Sequence, residues 1–95
     1  MATQEYRIVS GAESTIHSEP HIAGSRITVL DVQERVEERG LSPQRVAERF
    51  DLDVAEVYEA LAYYHTNPAE MRRVEERHKE AVDAAQRRSA VRPMS

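Results

Sequence analysis

Residues 42–66, which read SPQRVAERFDLDVAEVYEALAYYHT, decide the fold because they predict two helices joined by a short turn. Ser42 is a favourable N-cap residue and Pro43 suits the first helical position, so a short helix begins here. Asp53 and Glu56 have the spacing of a capping box at the start of the next helix. These lengths match a helix-turn-helix unit that binds DNA, and they equally match a trihelical packing unit that does not bind DNA.

A further helix is predicted before this pair. Val29, Val32 and Val36 recur at i, i+3 and i+7, which is the spacing of one helix face. Gly40 follows at the position where a glycine commonly ends a helix. Residues 29–39 are therefore predicted to be helical, and the three helices together predict a trihelical core.

A long, highly charged helix is predicted after the pair. Asn67 precedes Pro68, and the residue before a proline avoids the α region, so one helix stops here and another runs to about Ala90. The apolar stripe of this last helix is thin, so we expect it to stay exposed or to gain stability from a partner. The chain is thus divided into a core of residues 1–66 and a charged helical arm of residues 67–95.

The N-terminal part predicts short strands. Residues 6–9 form an extended run, and residues 22–29 place β-branched side chains on both sides of Gly24, which indicates a tight bend there. Two short strands are too few to be stable alone, so they pack on the helices or pair with a second copy of the chain. We expect a homodimer, since pairing these strands or hairpins between copies would remove exposed edges. The fold class is mainly α, with a short N-terminal β element and a long C-terminal helix.

Length, composition and charge narrow the function classes. The chain has 95 residues and a net charge of −4, which indicates one small domain and argues against a large enclosed active site or a generic nucleic-acid coat protein. Cysteine is absent, which excludes disulfides and thiolate catalysis. No apolar run is long enough to span a membrane and the first residues lack the pattern of a signal peptide, so a cytoplasmic protein with no membrane contact is expected.

No catalytic, metal or cofactor site is expected. The four histidines are dispersed, and His17 and His21 are separated by Pro20, which excludes the helical i, i+4 geometry of a metal site. No positioning motif accompanies the serine, histidine and aspartate residues, and three glycines form no phosphate-binding loop. The sequence therefore predicts a binding protein and not an enzyme.

The charges are unevenly distributed. Residues 28–66 carry nine acids and four bases, whereas residues 67–95 carry five acids and seven bases. The helix that would read DNA begins with acidic residues, which phosphates repel. If DNA is bound, the candidate contacts are the arginines elsewhere in the core, namely Arg26, Arg45 and Arg49.

Four segments resemble one family of small bacterial and archaeal proteins. They are SEPHIAGSRITV at residues 18–29, GLSP at 40–43, VAERF at 46–50 and ALAYY at 60–64. In this order and spacing they resemble domain-of-unknown-function family 433, whose members look like VapB-type antitoxins, over about residues 6–66. Ser25 stands where the family has threonine, and the glycine common before this hallmark is absent.

The resemblance implies a homeodomain-like or winged helix-turn-helix core, commonly dimeric, that pairs with a PIN-like ribonuclease toxin. Such nucleases hold a divalent metal with clustered carboxylates, which arginine grips in a bidentate way. On that basis we expect Met71, Val74 and Val82 to dock in an apolar groove of the toxin while arginines reach its acidic site. The predicted toxin-binding residues are Met71, Arg72, Arg73, Val74, Arg77, Val82, Arg87 and Arg88.

Two other functions remain open at this point. The first is a stand-alone helix-turn-helix transcriptional regulator that binds DNA through residues 43–66. The second is a purely structural oligomer. The neighbouring reading frame separates the antitoxin from the transcriptional regulator: an adjacent short gene for an acid-rich nuclease would support the antitoxin, and its absence would favour the regulator.

Overall fold

The computed structural model describes residues 8–16 and 18–90 and shows a mainly helical protein with one short sheet. The helices follow the β element along the chain, and the last helix is the longest. In chain order the elements are β1 (Ile8–Val9), β2 (His21–Ile22), α1 (Val29–Gln33) continuing as a π-helical turn (Glu34–Glu38), α2 (Pro43–Phe50), α3 (Val54–Thr66) and α4 (Pro68–Ala90).

The sheet consists of two antiparallel strands from the same chain. Ile8 of β1 lies opposite Ile22 of β2. After β2 the chain turns at Gly24, whose φ is +80°, and the Ile22 N–H donates to the Ile27 carbonyl at 2.9 Å. The predicted bend at Gly24 is confirmed. The described part of the predicted strand 6–9 is paired within the chain and not with a second copy, which was one of the two arrangements expected. Residues 6 and 7 lie outside the described residues.

The first helix begins at a reciprocal cap. The Asp31 N–H donates to the Thr28 hydroxyl at 3.0 Å, and the Thr28 N–H donates to the Asp31 carboxylate at 3.2 Å. The predicted helix over residues 29–39 is confirmed in extent, but its second half widens into the π-helical turn. Gly40 ends it with a φ of +76°, a conformation that glycine adopts without strain.

The two central helices start and end as the sequence predicts. The Arg45 N–H donates to the Ser42 hydroxyl at 3.1 Å, which caps α2, and the left-handed Asp51 ends that helix. The Asp53 N–H donates to the Glu56 carboxylate at 3.0 Å at the start of α3. At the α2 end of the turn the Leu52 N–H donates to the Ala47 carbonyl at 2.9 Å, so local hydrogen bonds fix the turn between α2 and α3 at both ends.

The core is small and draws on the sheet and all four α-helices. Val57 and Ala60 are its contribution from α3. The apolar spacing of this helix predicts that Val54 and Tyr58 also face inward, and this prediction is wrong, because their exposed fractions are 37% and 51%. The buried apolar residues are Ile22, Val29, Leu30, Val32, Val46, Ala47, Val57, Ala60, Met71 and Val74.

The long helix α4 packs on this core through its first three turns only. The predicted boundary between residues 66 and 67 coincides with the break at Asn67, but α4 remains attached well beyond that break. Residues 79–90, which we call the arm, extend past the core, and the molecule measures 64 × 28 × 21 Å. Helix α4 therefore consists of a packed half, residues 68–78, and a projecting half, the arm.

Shortening Met71 should destabilise the whole core. Met71→Ala removes a side chain that is 1% exposed, so we expect the free energy of unfolding to fall by about 2–5 kcal/mol. Urea denaturation followed by far-UV circular dichroism measures this loss. Val82→Ala on the arm is the matched control and should change stability by less than about 0.5 kcal/mol. Equal losses in the two variants would contradict the packing described here.

Candidate functional site on the C-terminal helix

The predicted apolar docking residues do not share one surface. Met71 and Val74 are each only 1% exposed, because the protein's own core covers them, while Val82 on the arm is 54% exposed. The expectation that all three meet a partner is corrected accordingly. Two apolar side chains are too few to stabilise α4 as an isolated helix, but they are enough to pack α4 against the core residues of α1, α2 and α3.

A loop before β2 clamps the packed half of α4. The Gly11 N–H donates to a Glu70 carboxylate oxygen at 3.0 Å, and the Arg77 guanidinium donates to the Ser18 carbonyl at 3.4 Å. A Cβ on Gly11 would lie 2.7 Å from Glu70 Oε2 and 2.8 Å from the Ser18 carbonyl oxygen, so only glycine fits this close approach. We call these contacts, together with the pair described next, the loop clamp.

The third contact of the loop clamp is a largely buried acid. A Glu19 carboxylate oxygen lies 2.5 Å from His78 Nε2, and the Glu19 side chain is 10% exposed. Among the described residues its second oxygen, Oε1, is buried without a hydrogen-bond partner. Burying a carboxylate is costly unless it is paired, so the pairing of Glu19 with His78 fixes the position of α4 against this loop.

Two neighbouring tyrosines join α3 to α4. The Tyr63 hydroxyl donates to Glu70 at 2.5 Å, and the Tyr64 hydroxyl donates to Glu75 at 2.7 Å. Burial, followed by the hydrogen bond to Glu70, raises the pKa of Tyr63 to about 12. The hydrogen bond to Glu75, followed by burial, raises the pKa of Tyr64 to about 12. Both hydroxyls are therefore held protonated as donors to α4.

The predicted toxin-binding arginines fall into two groups. Arg72 and Arg73 are exposed on the packed half of α4, and Arg73 lies one turn before Arg77 of the loop clamp. Arg87 and Arg88 are exposed on the arm, beyond the core. None of these four forms a salt bridge within residues 8–16 and 18–90. Val82 and the two arm arginines thus belong to one projecting segment that lies free of the core.

The predicted DNA-binding arginines lie on two elements. Arg45 and Arg49 are exposed one turn apart on α2, so they share a face of that helix. Arg26 is exposed in the turn between β2 and α1. The sequence of α3 contains no lysine or arginine, and Asp53 caps its start.

Sequence reasoning missed the residues that attach α4. Gly11 and Glu70 are separated by 59 residues, as are Glu19 and His78, and no local pattern links positions so far apart. The cap formed by Thr28 and Asp31 was also missed, although its spacing is visible in the sequence as a capping-box pattern.

The fold is that of a small, mainly helical domain with a projecting, arginine-bearing helix. The family model described as "Protein of unknown function (DUF433)" matches residues 12–64, more than half of the chain, and the chain belongs to this family. The match ends before α4 begins. Neither the curated proteins nor the solved structures contain a significant match. Within the described residues, none of the helices has the length and apolar character needed to cross a membrane.

The tyrosine pKa values predict that stability falls in strong alkali. Because both pKa values lie above the ordinary 10.0, the folded state holds these protons more tightly than the unfolded state. This contribution is complete below about pH 10 and is lost as the pH rises through about 12. Urea midpoints measured across this range should fall less in a Tyr63→Phe/Tyr64→Phe double variant than in the wild type.

The exposed Tyr58 supplies the control for that experiment. Tyr58→Phe removes a hydroxyl on the open face of α3 and should leave the alkaline decline of the wild type unchanged. If the double variant declines as steeply as the wild type, the two tyrosine–carboxylate hydrogen bonds do not hold α4 in the way described.

Proposed function

We propose that this protein is an antitoxin-like, non-enzymatic binding protein of the cytoplasm that neutralises a PIN-like ribonuclease toxin. The observation that supports the proposal best is the arm. It is a projecting helical segment that combines an exposed Val82 with the exposed Arg87 and Arg88. The VapB-like character of the chain is part of this proposal and follows from the resemblance of its core.

The arm has the physical properties of a segment that a partner stabilises. Isolated helices shorter than about 12–15 residues are marginal in water, and residues 79–90 have no core beneath them. The packed half of α4 supplies a helical start from which the arm extends. A partner that covers Val82 would therefore bind a segment whose helical conformation is already nucleated, which lowers the entropy cost of binding.

The charge of the arm matches an acidic site. The guanidinium groups of Arg87 and Arg88 suit bidentate contacts with clustered carboxylates such as those of a metal-dependent nuclease. Arg72, Arg73 and Arg77 lie nearer the core and would contact the rim of the partner. In this proposal Met71 and Val74 contribute indirectly, because they hold α4 on the core and set the direction of the arm.

We further propose that α1, α2 and α3 form a homeodomain-like or winged helix-turn-helix-type unit through which the protein regulates its own operon. The short turn between α2 and α3, and Arg45 and Arg49 on one face of α2, support this proposal. The alternative is a stand-alone transcriptional regulator. The absence of lysine and arginine from α3 weighs against strong DNA binding by that helix.

Removal of the arm should abolish neutralisation and leave the core folded. The test uses the chain truncated after Glu80 and the product of the adjacent reading frame, where that frame encodes a small acid-rich nuclease. We expect the truncated chain to keep its circular dichroism melting behaviour and to lose inhibition of RNA cleavage. Arg87→Glu/Arg88→Glu in the full chain should weaken binding by about tenfold or more.

A matched charge reversal on α2 provides the control. Arg45→Glu/Arg49→Glu removes the same number of positive charges from another exposed surface and should leave binding of the nuclease unchanged. If the chain truncated after Glu80 still silences the nuclease fully, the inhibitory surface lies on the core and the proposal for the arm is wrong.

DNA binding by the isolated protein should be weak and strongly dependent on salt. Gel-shift or anisotropy titrations with the upstream DNA of its operon should give an affinity that falls steeply as salt rises. Arg45→Ala and Arg49→Ala should each reduce the salt slope by about one. A nanomolar specific site at physiological salt would favour the stand-alone regulator instead.

A further inference from the structure

The open side of α3 is apolar and almost uncharged. Its exposed side chains include Val54 at 37%, Tyr58 at 51% and Ala62, which follow one another at intervals of four residues and therefore form one stripe. Glu59 is the only acidic or basic residue other than histidine among the exposed residues of this helix. Two of the three large hydrophobic side chains that are exposed in the described residues lie here.

The two central helices differ in how their apolar residues are arranged. Helix α2 is sharply amphipathic, with Val46 and Ala47 inside and charged residues outside. Helix α3 carries apolar residues on every side, although the sheet and the other three helices leave Val54, Tyr58 and Ala62 exposed. A helix that is apolar all round is usually buried all round. We therefore expect another surface to bury the open side of α3.

We propose that this stripe is the interface at which two copies of the chain pair, with their α3 helices antiparallel about a twofold axis at Tyr58. Such an axis places Val54 of one copy level with Ala62 of the other, because each lies four residues from Tyr58. A large side chain then meets a small one at both ends, and the two Tyr58 rings meet in the centre. The stripe is therefore complementary to itself, as a twofold interface must be.

The charges of this face favour a second copy over other partners. A nucleic acid needs lysine or arginine, and α3 has neither. A strongly charged protein would meet no opposite charge on the stripe. In the antiparallel arrangement the two helix dipoles oppose each other, which favours pairing. His65, near the end of the stripe, is already paired within its own chain, because its Nε2 lies 2.8 Å from a Glu37 carboxylate oxygen.

The size of the stripe sets the strength of the dimer. Helix α3 has 13 residues and is about 20 Å long, so two such helices bury less than the about 1,200 Å² typical of stable interfaces. The dimer is accordingly in exchange with the monomer at micromolar concentration. This inference concerns the chain alone and does not rest on the proposed function, because the arm takes no part in it.

Sedimentation equilibrium of the full chain over a range of micromolar concentrations tests the dimer. The wild type should rise from the mass of one chain toward that of two. Tyr58→Glu should weaken the dimer by about tenfold or more while the far-UV spectrum stays unchanged. Val82→Glu is the matched control, since it places the same charge on the other strongly exposed hydrophobic residue, on the arm, and should leave the dimer intact.

Single cysteines test the position of the axis independently of any loss of stability. The chain has no cysteine, so Tyr58→Cys can form a disulfide only between two copies. Mild oxidation should link Tyr58→Cys chains rapidly and Val82→Cys chains slowly. A wild type that stays monomeric throughout, a dimer that survives Tyr58→Glu, or faster linkage of Val82→Cys would each overturn the proposal. So would a monomer whose binding to DNA is lost in Tyr58→Glu, because α3 would then be a DNA-reading helix.

Discussion

The packing of one face of α4 against the rest of the core is the contact on which the other features depend. Among the residues that the structure describes, ten buried apolar residues form the core, and α4 supplies two of them, Met71 and Val74. A domain of this size buries a modest share of its surface, so the loss of either side chain removes a large part of its stability. The same contact fixes where the helix leaves the core and therefore where the arm points.

Polar contacts place α4 at one register on that core. Glu70 accepts from the Gly11 N–H and from the Tyr63 hydroxyl, so one carboxylate joins the N-terminal loop, α3 and α4. Glu19 and His78 add a partly buried pair one turn beyond Val74. Apolar packing alone tolerates sliding of a helix, whereas directed hydrogen bonds do not. The loop clamp therefore determines which residues of α4 are covered and which begin the arm.

The structure leaves two kinds of exposed surface with opposite character. The arm carries an exposed valine followed by two exposed arginines, and the open side of α3 carries an apolar stripe with almost no charge. Charged, projecting segments suit recognition of an acidic partner, and neutral self-complementary stripes suit pairing of identical chains. In our proposals these surfaces serve different partners, so a dimer formed through α3 leaves both arms accessible.

Local sequence determined where the elements begin and end. Ser42 with Pro43, Asp53 with Glu56 and the glycine at residue 40 act through neighbours a few residues away, and the structure confirms each of them. The family resemblance was likewise carried by short segments, and the family model confirms it over residues 12–64. Such signals are readable in a single sequence because the interacting groups lie within one or two turns.

Only the tertiary structure decided which faces of the helices are covered. Periodicity predicted that Tyr58 faces inward, and Met71 was expected to face a partner, whereas Tyr58 is exposed and Met71 is buried in the protein's own core. On α3 apolar residues occur all round, so the pattern cannot show which side meets the core. On α4 the apolar stripe is thin, and its burial depends on contacts such as that of Gly11 with Glu70, 59 residues away. Contacts between segments so distant in sequence leave no local pattern, and on α3 and α4 they decide which face is buried.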